Sequence, residues 1–192
     1  MTTTCLECNM PLRLTKEEAL EMSCSGTHFI EDGMTLTPVT GKGLRLGNPS
    51  KVIQCEYGKG VEIGNFCDIY KAMIGSYTKI KRFVEIQENV EIGKFCKIMS
   101  FVFIPTGIRI GNYVFVGPGT VFTNDKYPSA VGDWEIRYTE VQDNVSIGAN
   151  CTILPGVKIG KGSCIGAGSV VTRNVDPEAV YYGNPAKRVR WL

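Results

Sequence analysis

The sequence has few of the features that define several large classes of protein. Nowhere does it approach the roughly 18 consecutive apolar residues that a membrane-spanning helix needs. Its first residues, 1–13, lack the apolar core of a signal peptide. Basic and acidic residues nearly balance, at 21 and 19, which gives no electrostatic reason to expect nucleic-acid binding. We therefore expect a soluble cytoplasmic protein with neither a membrane nor a nucleic acid as partner.

Histidine is almost absent. His28 is the only one in 192 residues, and it lies outside the repeated part of the sequence. Histidine is the side chain most often used as a general base near neutral pH. Chemistry carried out by the repeated part must therefore proceed without an imidazole of its own.

What the sequence has instead is a repeat of six residues. Eighteen aliphatic or aromatic positions follow it: Tyr57, Ile63, Ile69, Ile74, Ile80, Ile86, Ile92, Ile98, Ile104, Ile110, Val116, Phe122, Val141, Ile147, Ile153, Ile159, Ile165 and Val171. Small or β-branched residues stand four positions later: Thr78, Val84, Val90, Cys96, Val102, Ile108, Val114, Thr120, Val145, Cys151, Val157, Ser163 and Ser169. Neither a helix nor a single strand demands this period, so it predicts a solenoid.

Each hexad can supply one short strand and one corner, with both registers pointing inward. Three hexads are the fewest that close a turn, so a triangular coil of stacked parallel strands is the simplest arrangement. The step from Ile69 to Ile74 is five residues, which predicts a local distortion at one corner. The fold class is therefore all-β, a parallel β-helix.

Three regions follow from where the hexad begins, breaks and ends. Residues 1–50 are predicted to be an irregular capping segment with a short helix, opened by a capping box at Thr15–Glu18. The β-helix covers 51–175, and a polar loop at 123–140 protrudes from it. Such insertions concentrate function, although a tolerated surface excursion is the alternative. The tail, 176–192, is predicted to cap the far end.

The hexad also explains several of the eight cysteines. Cys67, Cys96 and Cys151 occupy the small inward position, where a free thiol packs as a small apolar side chain. Cys55 fits the same register if the coil begins one hexad earlier. Cys164 is an ordinary strand residue.

The remaining cysteines lie near the single histidine. Cys5 and Cys8, with Cys24 and His28, form two pairs of soft ligands that could hold a structural zinc ion. Reduced thiols with an uninvolved histidine are the alternative. A third possibility is that His28 acts as a catalytic base toward a neighbouring subunit.

The hexads, together with Ile165–Thr172 and Gly183–Lys187, resemble the hexapeptide-repeat acyltransferases. The resemblance implies a left-handed β-helix, a homotrimer, and acetyl-CoA as co-substrate in a cleft between neighbouring prisms. It implies that the backbone contacts acetyl-CoA around four small residues: Ala149, Gly166, Ala167 and Gly168. Lys187 and Arg188 become candidates for the CoA phosphates, with solvated tail charges as the alternative.

A narrower resemblance covers residues 114–128, which are similar to the branch that N-acetylates nucleotide-linked amino sugars for surface polysaccharides. Two departures stand out. Members often show Gln-Asn-Asn before the valine, where this chain has Met99–Val102, so Ser100 takes the place of an asparagine near the reacting amine. Arginine often follows the Tyr-Pro sequence, and Ser129 stands there instead.

The absence of histidine from the repeats bears on which group can accept the acetyl group. γ-type carbonic anhydrases, which share the resembled fold, bind zinc through three histidines, so that activity is excluded. Acetyl transfer to a hydroxyl normally needs a general base, whereas an amine with a pKa of about 8 is already partly neutral and can attack a thioester directly. An amine acceptor is therefore favoured.

Five polar residues are candidates for orienting that amine or accepting its proton. Asn124 and Asp125 stand where the loop leaves the coil, and an Asx turn is the structural alternative for them. Glu88 and Asn89 form a second pair at a corner, where such residues also serve simply as turn formers. Ser100 completes the set. Two other functions stay open: O-acetyl transfer with His28 or Asp125 as base, and a non-catalytic β-helical scaffold subunit.

Overall fold

The computed structural model describes most of the chain and all of the hexad-patterned region. The described residues are 13–14, 28–31, 36–39, 44–47 and 50–192. The helix expected from Thr15 onward lies outside them. No helix within these ranges is long and apolar enough to cross a membrane.

Three sheets form the faces of a β-helix of about seven turns. Sheet I contains β4 (Arg45–Leu46), β7 (Glu62–Ile63), β10 (Lys79–Ile80), β13 (Lys97–Ile98), β16 (Phe115–Val116), β19 (Ser146–Ile147), β22 (Cys164–Ile165), β24 (Ala179–Tyr182) and β25 (Lys187–Trp191). Sheet II contains β5 (Lys51–Ile53), β8 (Asp68–Tyr70), β11 (Glu85–Ile86), β14 (Phe103–Ile104), β17 (Val121–Phe122), β20 (Thr152–Ile153) and β23 (Val170–Val171). Sheet III contains β6 (Glu56–Tyr57), β9 (Met73–Ile74), β12 (Glu91–Ile92), β15 (Ile108–Ile110), β18 (Thr139–Val141) and β21 (Lys158–Ile159).

A separate small sheet precedes the solenoid. It contains β1 (Arg13–Leu14), β2 (His28–Glu31) and β3 (Leu36–Val39), with β1 parallel and β3 antiparallel to β2. Within the solenoid the chain visits sheets I, II and III in turn, and each strand pairs in parallel with its counterpart one coil away. Three corners result, named I–II, II–III and III–I after the sheets that they join.

The core confirms both inward registers of the hexad. All the large hexad residues from Ile63 to Val171 are buried, and only Tyr57, in the first coil of sheet III, is half-buried. Every residue named in the second register is buried as well, and so are Cys55 and Cys67. The same kind of side chain therefore recurs at the same place in successive coils, and stacking fills the prism without a second layer of structure.

The five-residue step is accommodated at one corner, as predicted. Between β8 and β9 the corner II–III is one residue shorter than in the next coil, and Lys71 takes a left-handed conformation with φ of 47°. Ala72 then fills the inward place that Val90 fills one coil later. Pairing resumes at once, because Ile92 lies beside Ile74.

The loop and the tail interrupt and extend the stack of coils at two different places. No strand occurs between Phe122 and Thr139, and this segment leaves the prism at corner II–III. The tail first adds β24 parallel to β22 and then folds back as β25, antiparallel to β24. This hairpin extends sheet I beyond the last coil.

Candidate functional site

The polar residues predicted to act on the acceptor mostly lie on one corner. Glu88 and Asn89 form corner II–III between β11 and β12, and Asn124 and Asp125 leave the same corner after β17. Ser100 lies elsewhere, at corner I–II between β13 and β14. The structure therefore brings four of the five predicted residues to one corner and separates the fifth from them.

A cleft of about 380 Å³ opens beside corner II–III. Its lining includes Asn89, Glu91, Gly107, Arg109, Tyr138 and Glu140. Asn89 has a left-handed backbone with φ of 59° and an exposed side chain. The cleft offers amide, carboxylate, guanidinium and phenol groups, a set suited to a polar ligand with hydroxyl and charged groups.

The loop is anchored at its origin by hydrogen bonds to the corner. The Asn124 amide nitrogen donates to the Thr106 carbonyl at 3.0 Å, and the Arg137 N–H donates to the Asn124 carbonyl at 2.8 Å. Asp125 Oδ1 accepts from the Tyr127 N–H at 2.9 Å, which is the Asx turn. Asn124 is thus tied to Thr106, the chain neighbour of the cleft residue Gly107. Asp125 has a structural task whatever else it does.

Ion pairs between successive coils set the charges of this region. Lys71 Nζ lies 2.9 Å from Glu88, and this hydrogen bond raises the pKa of the lysine. Arg109 lies 2.9 Å from Glu91, which raises the pKa of the guanidinium in the same way. The hydrogen bond from Lys158 lowers the pKa of the Glu140 carboxyl. The Glu140 carboxylate therefore stays ionised near neutral pH.

The residues predicted to face acetyl-CoA lie together on corner I–II. The Gly168 N–H donates to the Ala149 carbonyl at 2.8 Å, and Gly166–Gly168 turn directly above Ala149. A Cβ added at Gly168 would meet nothing within 4 Å. Ser100 stands on the same corner two coils below Ala149 and accepts from Gly119 N through its carbonyl at 3.0 Å. Mostly small residues therefore line this corner above Ser100: Gly117, Gly119, Gly148, Ala149 and Gly166–Gly168, with Pro118 and Asn150 between them.

The two basic tail residues differ in their surroundings. Arg188 bonds Asp176 at 2.8 Å, and its guanidinium lies 4.2 Å from the centre of the Trp191 ring. Tyr181 also donates its hydroxyl to Asp176 at 2.8 Å. Arg188 is thus engaged in holding the terminal hairpin, whereas the neighbouring Lys187 is exposed.

The predicted zinc ligands lie almost entirely outside the described residues. This applies to Cys5, Cys8 and Cys24, while His28 begins β2. In the portion of the chain that is described, no three His, Cys, Asp or Glu residues stand close enough to bind a metal ion.

Sequence reasoning missed part of the lining of the cleft. Glu91 and Arg109 are 18 residues apart, which is three hexads, or one full turn of the coil. This spacing places their side chains on one face in adjacent coils, so the ion pair was readable from the repeat. Tyr138 lies at the end of the non-periodic loop, and no pattern marks it.

The repeated region matches the family model "Bacterial transferase hexapeptide (six repeats)" over residues 89–124 and 138–173. The interruption between these segments coincides with the loop at corner II–III. The match to the family model and the stack of strands are therefore interrupted at the same place in the chain.

Proteins with similar sequences include both O- and N-acetyltransferases. The chain is 41% identical over 91 residues to a putative acetyltransferase of Schizosaccharomyces pombe and spans 42% of it. It is 36% identical over 85 residues to the galactoside O-acetyltransferase of Lactococcus lactis and spans 41% of that protein. It is 39% identical over 80 residues to a tetrahydropyridine-dicarboxylate N-acetyltransferase of Staphylococcus aureus, spanning 31% of it. The aligned parts cover 42–43% of this chain.

Solved structures with the same fold include two nucleotide- or CoA-bound proteins. AntD, an N-acyltransferase from Bacillus cereus crystallised with dTDP and coenzyme A, gives a TM-score of 0.61 at 22% identity, over 72% of this chain and 83% of that one. PerB from Caulobacter crescentus, in complex with CoA and GDP-perosamine, gives 0.54 at 20% identity, over 77% and 59%. At these identities the likeness concerns the fold.

Proposed function

We propose that this chain belongs to the hexapeptide-repeat acetyltransferases and is an acetyl-CoA-dependent N-acetyltransferase. Its acceptor would be the amino group of a nucleotide-linked amino sugar, used for surface polysaccharide. Acetyl-CoA would lie along corner I–II, beside Ala149 and Gly166–Gly168. The acceptor would enter the cleft at corner II–III.

The observation that carries the proposal is the absence of histidine from the solenoid and its loop. The only histidine of the chain begins β2, in the small sheet that precedes the first coil. A hydroxyl acceptor is hardly ionised near neutral pH and needs a base to remove its proton. An amine with a pKa of about 8 is roughly one-tenth neutral at pH 7 and needs no base before it attacks.

The reaction would proceed by direct attack of the neutral amine on the thioester carbonyl. A C–N bond forms, the C–S bond breaks, and coenzyme A leaves as a thiol after taking up a proton. The amine nitrogen loses one proton as the amide forms. Asp125, in the loop that leaves corner II–III, would hold the incoming ammonium and accept that proton through its carboxylate.

The solved neighbours support this choice of acceptor. AntD was crystallised with dTDP and coenzyme A, and PerB with CoA and GDP-perosamine. Both combine a nucleotide with coenzyme A on the fold of this chain. The ligands of these two proteins therefore support a nucleotide-linked acceptor for the proposed site.

A homotrimer would complete the site. The two groups of candidate residues occupy different corners of one prism, so no single copy brings Ser100 and Ala149 to the cleft beside Asn89 and Asp125. Cyclic assembly places a corner of one copy opposite another corner of the next. The proposed site therefore lies between copies.

O-acetyl transfer is the second candidate, because the galactoside O-acetyltransferase of Lactococcus lactis is 36% identical over its aligned part. Asp125 or His28 would then serve as the base that a hydroxyl acceptor requires. A scaffold without catalysis is the remaining alternative, and failure to bind acetyl-CoA in calorimetry would favour it.

The test is the release of free CoA thiol from acetyl-CoA in the presence of paired acceptors. Each nucleotide-linked amino sugar is compared with the same compound carrying a hydroxyl in place of the amine, and with simple galactosides. We expect release only with amines, at a rate that rises with pH toward about 8 because the neutral fraction increases. Faster release with hydroxyl acceptors would overturn the proposal.

A further inference from the structure

One side of the prism carries an excess of positive charge in its first coils. Among the described residues from β4 to β13, sheet I and its two corners present one carboxylate, that of Glu62. The same surface presents seven cations: Arg45, Lys59, Lys79, Lys81, Arg82, Lys94 and Lys97. On sheet II, β8 and β11 present Asp68 and Glu85 instead. The excess therefore lies on one side, which attracts anions to it.

Most of these cations have no counter-ion on the protein. Lys79 Nζ lies 3.2 Å from Glu62 Oε1. Over the ranges that the structure describes, none of the other six forms an ion pair. Lys81 and Arg82 are consecutive in the chain and both exposed, so their charges are available to a ligand.

These two cations border a groove of about 310 Å³ at the edge of sheet I, which is also lined by Gly47, Glu62 and Gly64. A Cβ at Gly64 would lie 2.7 Å from the Lys81 carbonyl carbon and 2.9 Å from the Arg82 nitrogen. The close contact of the two coils thus excludes a side chain there and leaves the groove open beside the cations. Glu62 is the only acidic residue in the lining, and it is paired with Lys79.

The pair of cations is confined to a single coil. On corner I–II the places of Lys81 and Arg82 are taken by Gly64 and Asn65 in the coil before, and by Met99 and Ser100 in the coil after. A long polyanion such as a nucleic acid would therefore meet no continuous positive track. A short anion with two neighbouring charged groups fits better.

A diphosphate is such an anion. The planar guanidinium of Arg82 can donate two parallel hydrogen bonds to the oxygens of one phosphate, and the Lys81 ammonium can serve the other as a point charge. Bonds of this kind, between a charged donor and a charged acceptor, are the strong ones among protein hydrogen bonds.

The place of the groove along corner I–II indicates which diphosphate it takes. The Arg82 carbonyl accepts the Phe101 N–H at 3.2 Å, so Arg82 lies beside Ser100, one coil or about 5 Å away. Ser100 takes the place that the family resemblance puts near the reacting amine. Ala149, where the proposed acetyl-CoA contacts begin, lies two coils from Ser100 in the opposite direction. Acetyl-CoA and the groove thus lie on opposite sides of the reacting centre.

We infer that the groove lined by Gly47, Gly64, Lys81 and Arg82 binds the diphosphate of the nucleotide-linked acceptor. Arg82 and Lys81 are its ligands, and the sugar extends from them along the corner toward Ser100. This inference rests on the proposed function for the choice of acceptor. Coenzyme A also contains a diphosphate, and separate titrations distinguish the two sources.

Calorimetry tests the site without any acetyl transfer. UDP, dTDP and GDP are each titrated into the wild type, Lys81→Gln and Arg82→Gln. We expect at least one of the three to bind the wild type, and each substitution to weaken that binding by about 10- to 100-fold, the effect of losing one charged hydrogen bond. Titration with coenzyme A should give the same affinity in all three proteins.

Lys97→Gln is the matched control. It removes one exposed positive charge from sheet I, one coil beyond Lys79 and outside the groove. Its affinity for the nucleoside diphosphate should equal that of the wild type. An equal loss in Lys97→Gln and Arg82→Gln would mean that the whole face attracts anions without a defined site, and would overturn the inference.

Two other results would also overturn it: no binding of any of the three diphosphates to the wild type, or weaker binding of coenzyme A in place of the nucleoside diphosphate in Arg82→Gln. Thiol release then separates this inference from the proposed function. Transfer to amino-sugar nucleotides with an unchanged acceptor KM in both variants would retain the function and remove the site. Binding that depends on Arg82, without transfer to any amine, would retain the site and remove the function.

Discussion

At the scale of single residues, Asp125 combines a structural contact with a proposed chemical one. Its Oδ1 accepts the Tyr127 N–H at 2.9 Å and fixes the first turn of the loop. That turn uses one carboxylate oxygen, and the proposed proton transfer would use the other. Because an asparagine side chain keeps an oxygen acceptor but carries no charge, the two tasks can be separated by substitution.

We predict that Asp125→Asn lowers kcat with the amino-sugar acceptor by about 10- to 100-fold, since positioned proton acceptors contribute roughly 10²- to 10⁴-fold and this amine is partly neutral beforehand. The midpoint of thermal unfolding should stay within the error of the wild type, because the Asx turn is retained. Asp125→Ala should lose both the turn and the activity. Full activity in Asp125→Asn, with loss only in Asp125→Ala, would leave Asp125 a purely structural role.

At the scale of elements, the coils touch through their backbones where glycine follows the inward residue. Gly93 lies after β12, and a Cβ there would stand 2.5 Å from the Gly111 carbonyl oxygen and 2.6 Å from its carbon. Those atoms belong to the next coil, whose strand is hydrogen-bonded in parallel to β12. They cannot withdraw without breaking that ladder.

Gly93→Ala should therefore reduce the free energy of unfolding by about 1–3 kcal/mol, the usual cost of overpacking a tightly packed site. Urea titration followed by circular dichroism measures it. Gly168→Asn is the matched control, because a Cβ there meets nothing within 4 Å and asparagine tolerates its φ of 71°. Equal stability of the two variants would show that the coils are not in rigid contact at this corner.

At the scale of the whole molecule, the sequence predicts the prism far better than the site. The hexad is set by packing, since each period-six residue must fill the same place in the next coil. Accordingly, the large hexad residues from Ile63 to Val171 are all buried. The loop has no such period, so neither its path nor the placement of Tyr138 in the cleft could be read from it. The family resemblance groups Ser100 with Asp125, but the two residues lie on different corners of the prism. Only an assembly of copies can bring them together.

The inner column also contains three thiols that behave as part of the core. Cys67, Cys96 and Cys151 donate to backbone carbonyls of the next coil, those of Lys81, Gly111 and Gly166, at 3.0, 3.1 and 3.2 Å. Burial raises the pKa of each above the ordinary value of 9.0.

Threonine fills the same place in other coils and makes the same kind of bond. Thr78 donates to the Gly93 carbonyl at 2.7 Å, and Thr120 to that of Gly148 at 3.0 Å. Replacing the three cysteines by threonine should therefore preserve the packing while removing their titration.

We predict that these thiols leave the free energy of unfolding unchanged below about pH 9 and reduce it above that pH. The unfolded chain loses the thiol protons first, since its pKa values are the lower ones, so rising pH favours unfolding. The slope is at most about 1.4 kcal/mol per pH unit for each thiol. Urea titrations between pH 7 and pH 10.5 should show a smaller alkaline loss in the variant Cys67→Thr/Cys96→Thr/Cys151→Thr than in the wild type. Tyrosine and lysine titrate equally in both proteins, so identical slopes would mean that these thiols already ionise freely in the folded solenoid.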